Sequence, residues 1–223
     1  MILGIDTSAA QCAVALVGTG EAVNDAGNDT VIERQAMDRG HAEHLFPMIE
    51  AVLGRAGIGY DGLSRIAVCT GPGSFTGVRI GVAAARGMAL GRGIPVIGIS
   101  RFEALANQVL EIETGGPVAI CLSGRGGMIY LQAFGPDGVA LADPEITTDM
   151  ALASAIPPGC TRFAGDAAPR LDDYPALLPD GLPDPSIIAR LASGRDATTL
   201  PAPLYLRGAD AALPREGPPA LLD

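Results

Sequence analysis

The stretch Gly71-Pro72-Gly73-Ser74-Phe75-Thr76-Gly77-Val78-Arg79-Ile80-Gly81 decides how the chain is read. It follows a short apolar run, Ile66 to Cys69, and opens onto a segment with helical spacing, Val78 to Leu90. Strand, glycine-rich loop and helix in that order aim backbone N–H groups and a helix N-terminus at one point, where an anion is favoured. Gly71 and Gly73 leave the backbone free to turn tightly, and Ser74 or Thr76 supplies a hydroxyl to cap the helix. The same residues equally suit a tight turn ahead of a capped helix, so both uses stay open.

The predicted helix behind this loop carries two apolar stripes. Val78, Val82, Ala85 and Ala89 form one, and Ile80, Ala84, Gly87, Met88 and Gly91 form the other. A surface helix needs a single stripe, and small residues let a neighbouring helix come close. A preceding helix is expected from His41 to Ala56, with Leu45, Met48, Ile49 and Val52 at helical spacing and Gly57 as the stop. We expect these two helices to meet a partner through Leu45, Met48, Ile49, Val52, Val78, Val82, Ala85 and Ala89.

Upstream, Met1 to Asp6 and Cys12 to Val17 read as strands around a polar turn, with a third strand near Thr30 to Gln35 after a turn-rich segment, Gly18 to Asp29. Downstream, Pro95 to Ile99 reads as a strand and Phe102 to Leu110 as a helix. The second half starts again with strands at Pro117 to Leu122, Met128 to Phe134 and Val139 to Leu141. A helix at Met150 to Ile156, a strand at Arg162 to Ala164 and a helix at Pro185 to Ser193 follow. Strands followed by alternating helices and strands, twice over, predict two α/β halves of one plan. We divide them at 1–103 and 104–223, with the C-terminal segment free to pack back on the first.

Composition narrows the chemistry. The net charge is −10, and all 15 basic residues are arginine. Without lysine there is no P-loop lysine, no Schiff base and no lysine general base. A strongly acidic surface also grips nucleic acid poorly on its own. Cys12, Cys69, Cys121 and Cys160 are scattered and form no CxxC pair, so they read as buried thiols of a cytoplasmic protein. The apolar N-terminus meets Asp6 at once, and arginines interrupt the longer apolar runs, so no leader or membrane span is expected.

The glycine string, together with Gly4-Ile5-Asp6-Thr7-Ser8, Gly98-Ile99-Ser100, Glu103-Ala104-Leu105 and Pro203-Leu204-Tyr205-Leu206-Arg207, resembles the TsaB (YeaZ) family in order and spacing. The resemblance implies a two-domain fold of the actin, Hsp70 and sugar-kinase type, each domain a mixed sheet with helices. It also implies a non-catalytic subunit for tRNA threonylcarbamoyladenosine synthesis, partnered by a TsaD-type catalytic paralogue and a TsaE-type ATPase. It would form a homodimer when alone and meet tRNA only indirectly. No cofactor is required by this reading, which leaves room for ATP or ADP in the assembled complex. The family commonly has Asp-Ala-Arg where this chain has Ser123-Gly124-Arg125, and the 20–29 segment is idiosyncratic, so nothing of the family is carried over to it.

Enzymatic alternatives are tested by residue. The paralogue's metal-binding HxxxH aligns with Arg101 and Leu105, and neither can ligate a metal: arginine is always protonated and leucine has no lone pair. His41 and His44, with Glu43, are the remaining metal or metallopeptidase candidates, and capping or solvent-facing roles are the favoured reading, since three ligands on one turn are a demanding arrangement. In fold relatives the first hairpin's aspartate serves Mg²⁺-ATP through a DxGxT turn. Asp6-Thr7-Ser8 lacks its glycine, so bonding to turn amides competes with metal binding. An independent ATPase or phosphotransferase would use Asp6 and Thr7 with Gly71, Gly73, Ser74, Thr76 and Gly77. We expect no catalytic residue and no metal.

Overall fold

Strands buried on both faces are apolar almost throughout, and Ile2–Asp6 (β1) and Gln11–Val17 (β2) are buried at every position. A computed structural model describes residues 1–18, 30–171 and 174–206. Residues 19–29 of the turn-rich segment and Arg207 lie outside the described residues.

β1 pairs antiparallel with β2, and β2 with Thr30–Ala36 (β3). On the other side β1 runs parallel to Arg65–Cys69 (β4), which runs parallel to Val96–Ile99 (β5). Spatial order is β3-β2-β1-β4-β5. The helices His41–Arg55 (α1) and Phe75–Arg92 (α2) cover one face, packing Leu45, Ile49, Val52, Val78, Val82 and Ala85 on Leu3, Ile5, Leu16 and Val68. After β5 comes Arg101–Ile112 (α3).

The second half repeats the plan. Val118–Ser123 (β6) and Met128–Phe134 (β7) are antiparallel, Glu145–Thr148 (β8) extends the sheet antiparallel to β7, and Arg162–Ala164 (β9) and Ala176–Leu177 (β10) continue it in parallel beyond β6. Leu152–Ala155 (α4) is a single turn, and Pro185–Ala192 (α5) closes the set. The expected third strand at Val139–Leu141 is wrong: it makes only one bridge, Phe134 to Ala140, and Val139 and Leu141 stay exposed. The true strand is nearly devoid of apolar residues; its buried member is Thr147. β10 is two residues long, too short for any periodicity to announce.

The two halves exchange their last helices. α3 leaves the first sheet and packs Phe102, Leu105, Ala106 and Val109 on the second, against Val118, Ile120 and Leu122. α5 returns to the first sheet, where Ile188, Ala189 and Ala192 meet Ile2, Ala67, Cys69 and Ile97. The returning chain is fastened at several points. Arg190 holds Glu111 through both carboxylate oxygens at 3.0 Å, Arg195 pairs with Glu103, and the Leu204 amide donates to the Thr70 carbonyl at 2.8 Å.

α5 lies so close to β1 that any side chain at Gly4 would collide with the Pro185 carbonyl and the Ala189 methyl. Gly4→Val should therefore cost about 1–3 kcal/mol through overpacking, read as a lower urea midpoint with an unchanged slope. Asp184 caps α5, accepting from the Ser186 amide at 2.8 Å and hydroxyl at 2.7 Å, and pairs with Arg34. Burial alone would raise its carboxyl, but Ser186 and Arg34 together hold it below the ordinary value of 3.8. The stability it contributes is full above that value and is lost as pH falls through the lowered one. Asp184→Asn should thus destabilise at pH 7, and the gap to the parent protein should narrow between pH 4 and pH 2 in denaturant titrations.

Candidate functional site

The glycine loop is held from behind by the turn between β1 and β2. The Ser74 amide donates to the Ser8 carbonyl at 2.7 Å, and the Thr7 hydroxyl donates to the Gly77 carbonyl at 2.7 Å. A side chain at Gly73 would strike the Ser8 carbonyl, one at Gly77 the Thr7 carbonyl, and one at Gly81 the Thr7 hydroxyl. Two of the glycines are thus explained by protein backbone approaching protein backbone, and the third makes room for the Thr7 hydroxyl. Gly71 has φ +90, and Ser74 caps α2, its Oγ accepting from the Gly77 amide at 3.2 Å. Thr76 is exposed and does not cap.

Asp6 is fully buried and committed. One carboxylate oxygen accepts from the Ser8 amide at 2.9 Å and hydroxyl at 2.6 Å; the other accepts from Gln11 Nε2 at 2.9 Å. A Mg²⁺-nucleotide would have to displace these bonds, so the residues present do not fit one at Asp6. The structure brings Thr7 to Gly77 and Ser8 to Ser74, but it turns Asp6 towards its own turn.

Arg101 fills the space between the halves. It is 5% exposed, and its Nε and one terminal nitrogen donate to the Gly181 carbonyl at 2.9 and 2.7 Å. The same nitrogen lies 3.6 Å from Asp166, whose carboxylate accepts the Ser123 amide at 3.1 Å. Leu105 is wholly buried beneath the second sheet. A cleft of about 230 Å³ remains beside Arg101, with Asp38, Asp166 and Asp180 in its wall. Neither Arg101's clamp nor these carboxylates follow from local sequence, because their partners are distant in the chain.

His41 and His44 do not converge. His41 is buried, with Nε2 3.1 Å from the Gln11 carbonyl, so that nitrogen carries the proton; His44 is exposed. The solvent-facing reading therefore fails for His41, which is tied to the strand by this bond. Among the described residues no group of three or more His, Cys, Asp or Glu is placed to hold a metal. The four cysteines are free and buried, and burial pushes Cys12 up to about 11 and Cys121 up to about 12, which leaves them inert as thiols.

The expected partner face must be corrected. Leu45, Met48, Ile49, Val52, Val78, Val82, Ala85 and Ala89 all point into the protein's own core. Periodicity identifies a stripe but not its direction, and the richer stripe went to the sheet. The outward face of α2 is instead Ala83, Gly87, Leu90 and Gly91, with Leu90 86% exposed. A side chain at Gly87 or Gly91 would meet nothing within 4 Å. Phe46, 44% exposed, extends the surface from α1.

Sequence reasoning also passes over a groove on the open side of the glycine loop. Phe75 and Arg79 from the first turn of α2, Arg125 and Tyr130 from the second domain, and Tyr205 from the returning chain line a cavity of about 860 Å³. Arg79 lies 3.6 Å above the Phe75 ring and donates to the Tyr205 hydroxyl at 2.8 Å. Phe75 and Arg79 inside the glycine string, with Tyr205 in the later Pro203–Arg207 motif, are the signal that could have found it.

Comparison with known proteins agrees with this architecture. The model of the family described as "TsaD: tRNA N6-adenosine threonylcarbamoyltransferase" matches residues 31–146, about half of the chain. The "tRNA threonylcarbamoyladenosine biosynthesis protein TsaB" of Haemophilus influenzae is 36% identical over 131 residues, 59% of this chain and 52% of that protein. The protein of the same name in Escherichia coli is 33% identical over 156 residues, 65% of this chain and 63% of that one. The chain thus spans between about half and two thirds of the length of these curated relatives. A Pseudomonas aeruginosa structure described as similar to peptidase YEAZ superposes with a TM-score of 0.78 at 25% identity, covering 92% of this chain and 99% of that one. With its paired sheets, its glycine loop seated on the first hairpin and these relatives, the chain belongs to the TsaB (YeaZ) family.

Proposed function

We propose that this protein is a non-catalytic subunit for N6-threonylcarbamoylation of tRNA adenosine, and that it works by binding a TsaD-type catalytic paralogue. The observation that carries the reading is Arg101. Where the paralogue is expected to hold metal, a fixed cation occupies the cleft and is held by the Gly181 carbonyl and Asp166. A guanidinium cannot ligate a metal, and its positive charge repels one. Asp6, which an ATPase or phosphotransferase would need, is already saturated by Ser8 and Gln11. No helix among the described residues is long and apolar enough to cross a membrane.

The outward face of α1 and α2 supports the partner assignment. Ala83, Gly87 and Gly91 are small and recur at helical spacing beside exposed Phe46 and Leu90. A second helix pair can approach this surface closely, in a paralogue or in another copy of the chain. In this reading homodimer and heterodimer compete for one face, a TsaE-type ATPase joins the assembled pair, and tRNA is met chiefly through the partner, since the net charge here is −10.

The decisive assay is threonylcarbamoylation of tRNA with TsaD-type and TsaE-type partners and the activated adenylate, each component omitted in turn. Modification that proceeds undiminished without this protein would overturn the proposal. Gly87→Arg tests the surface. It should stabilise α2, because glycine in a helix interior costs about 1 kcal/mol relative to ordinary helix formers, yet it should weaken association about a hundredfold or more. Analytical ultracentrifugation should therefore show a folded, more heat-resistant monomer that no longer supports modification. A variant that still self-associates and still supports modification would place the interface elsewhere.

A further inference from the structure

The second sheet ends at β8, with no strand beyond it among the described residues. The Met128 carbonyl accepts the Gly124 amide at 2.8 Å and so points towards β6, whereas the Ala133 carbonyl turns the other way to accept the Leu141 amide at 2.9 Å. Alternation along β7 therefore directs Ile129 and Leu131 to β8, where they bond their register partners Thr147 and Glu145. The N–H and C=O of Ile146 and the N–H of Thr148 are left facing outward. A free edge is ordinarily blunted by charge. The first sheet follows that rule, since its edge strand β3 carries Glu33 and Arg34, which are engaged by Arg55 and Asp184. β8 is different. Leu141 and Ile146 are exposed, and Met150 is 100% exposed. From Gly126 to Thr161 the chain has four carboxylates, Asp137, Asp143, Glu145 and Asp149, and no arginine. Arg170 pairs with Asp149, but neither Asp143 nor Glu145 joins an ion pair among the described residues.

We propose that β8 receives an added strand from a protein partner, an extended segment in which arginine or lysine alternates with an apolar residue. Main-chain bonds to Ile146 and Thr148 supply the attachment, and the two faces of β8 set the register. Ile146 shares one face with Tyr130, its neighbour on β7, and Glu145 lies on the other. An apolar side chain of the incoming strand thus meets Ile146 while the next residue, a cation, meets Glu145. The same charges turn away other occupants. Antiparallel pairing with a second copy, centred on Thr147, would set Glu145 opposite Asp149, and RNA would be repelled by the carboxylates. The edge belongs to the second sheet, whereas α1 and α2 cover the first, so this inference does not rest on the TsaD-type partner.

The experiment uses the full chain and a fluorescein-labelled peptide of alternating arginine and valine flanked by serines. Its controls are the same peptide with glutamate for arginine, and the same peptide N-methylated at alternate amides on either edge. We expect saturable binding of the basic peptide alone, weakened at least tenfold by N-methylation on the bonding edge. Glu145→Arg should weaken it at least tenfold through charge, and Thr148→Pro equally through loss of one outward N–H. Proline is tolerated on an edge where the N–H faces solvent, and circular dichroism checks that both variants fold. Asp196→Arg, the same charge change at an exposed position outside the second sheet, should leave binding unchanged. Hydrogen exchange gives the structural reading. In the free protein the Ile146 and Thr148 amides should exchange fast and those of Glu145 and Thr147 slowly, and the peptide should slow the first pair. No saturable binding up to about 1 mM, equal binding by both N-methylated peptides and the parent, or unchanged exchange at Ile146 and Thr148 would each overturn the proposal. So would protection of these amides by raised protein concentration without peptide, which would make a second copy the occupant, or displacement of the peptide by a short oligoadenylate RNA. tRNA modification with the partners is a separate measurement, and its failure would leave the strand site standing.

Discussion

Two backbone segments, the turn after β1 and the loop after β4, come closer than any side chain would permit, and the first domain is organised around that contact. The Ser8 carbonyl accepts the Ser74 amide, while the Thr7 hydroxyl holds the Gly77 carbonyl. Glycine at 73 and 77 is a steric requirement of this approach, and Gly81 leaves space for the Thr7 hydroxyl. Once the loop is seated, the axis of α2 is set, and with it the burial of Val78, Val82 and Ala85 and the outward presentation of Ala83, Gly87 and Gly91. A loop that looks prepared for phosphate is, on its inner side, prepared for another piece of the same chain.

The buried strands of the first half are legible from their composition: β1, β2 and β4 are short, apolar and bounded by turns, and they appear within a residue of expectation. α2 begins at Phe75, three residues before the expected start, because Ser74 caps it. The second half is less legible wherever its strands are exposed on one side. β8 buries a threonine and exposes Ile146, which reverses the usual signal, and β10 is too short to carry one. At the site, the order of the motifs is visible in the sequence but their facing is not. The clamp of Arg101 on Gly181 and the stacking of Arg79 with Tyr205 join residues 80 and 126 positions apart, and no local pattern encodes such pairings.

Arg101 also ties the two sheets to one another across the cleft between them. A nearly buried guanidinium with a carbonyl and a carboxylate beside it supplies charge-assisted bonds between the halves. Gly181 has φ +62, and a side chain there would crowd the Arg101 guanidinium, so the second half is shaped to receive that cation.

The exchange of α3 and α5 has a consequence for how the halves depend on one another. Each half contains a five-stranded sheet of the same order, and each sheet is completed by the helix that follows the other sheet's last strand. A cut between the two sheets would leave each without the helix that buries one of its apolar faces, and an uncovered apolar sheet face does not stay folded in water. The two halves therefore form one cooperative unit, although each carries a sheet of its own.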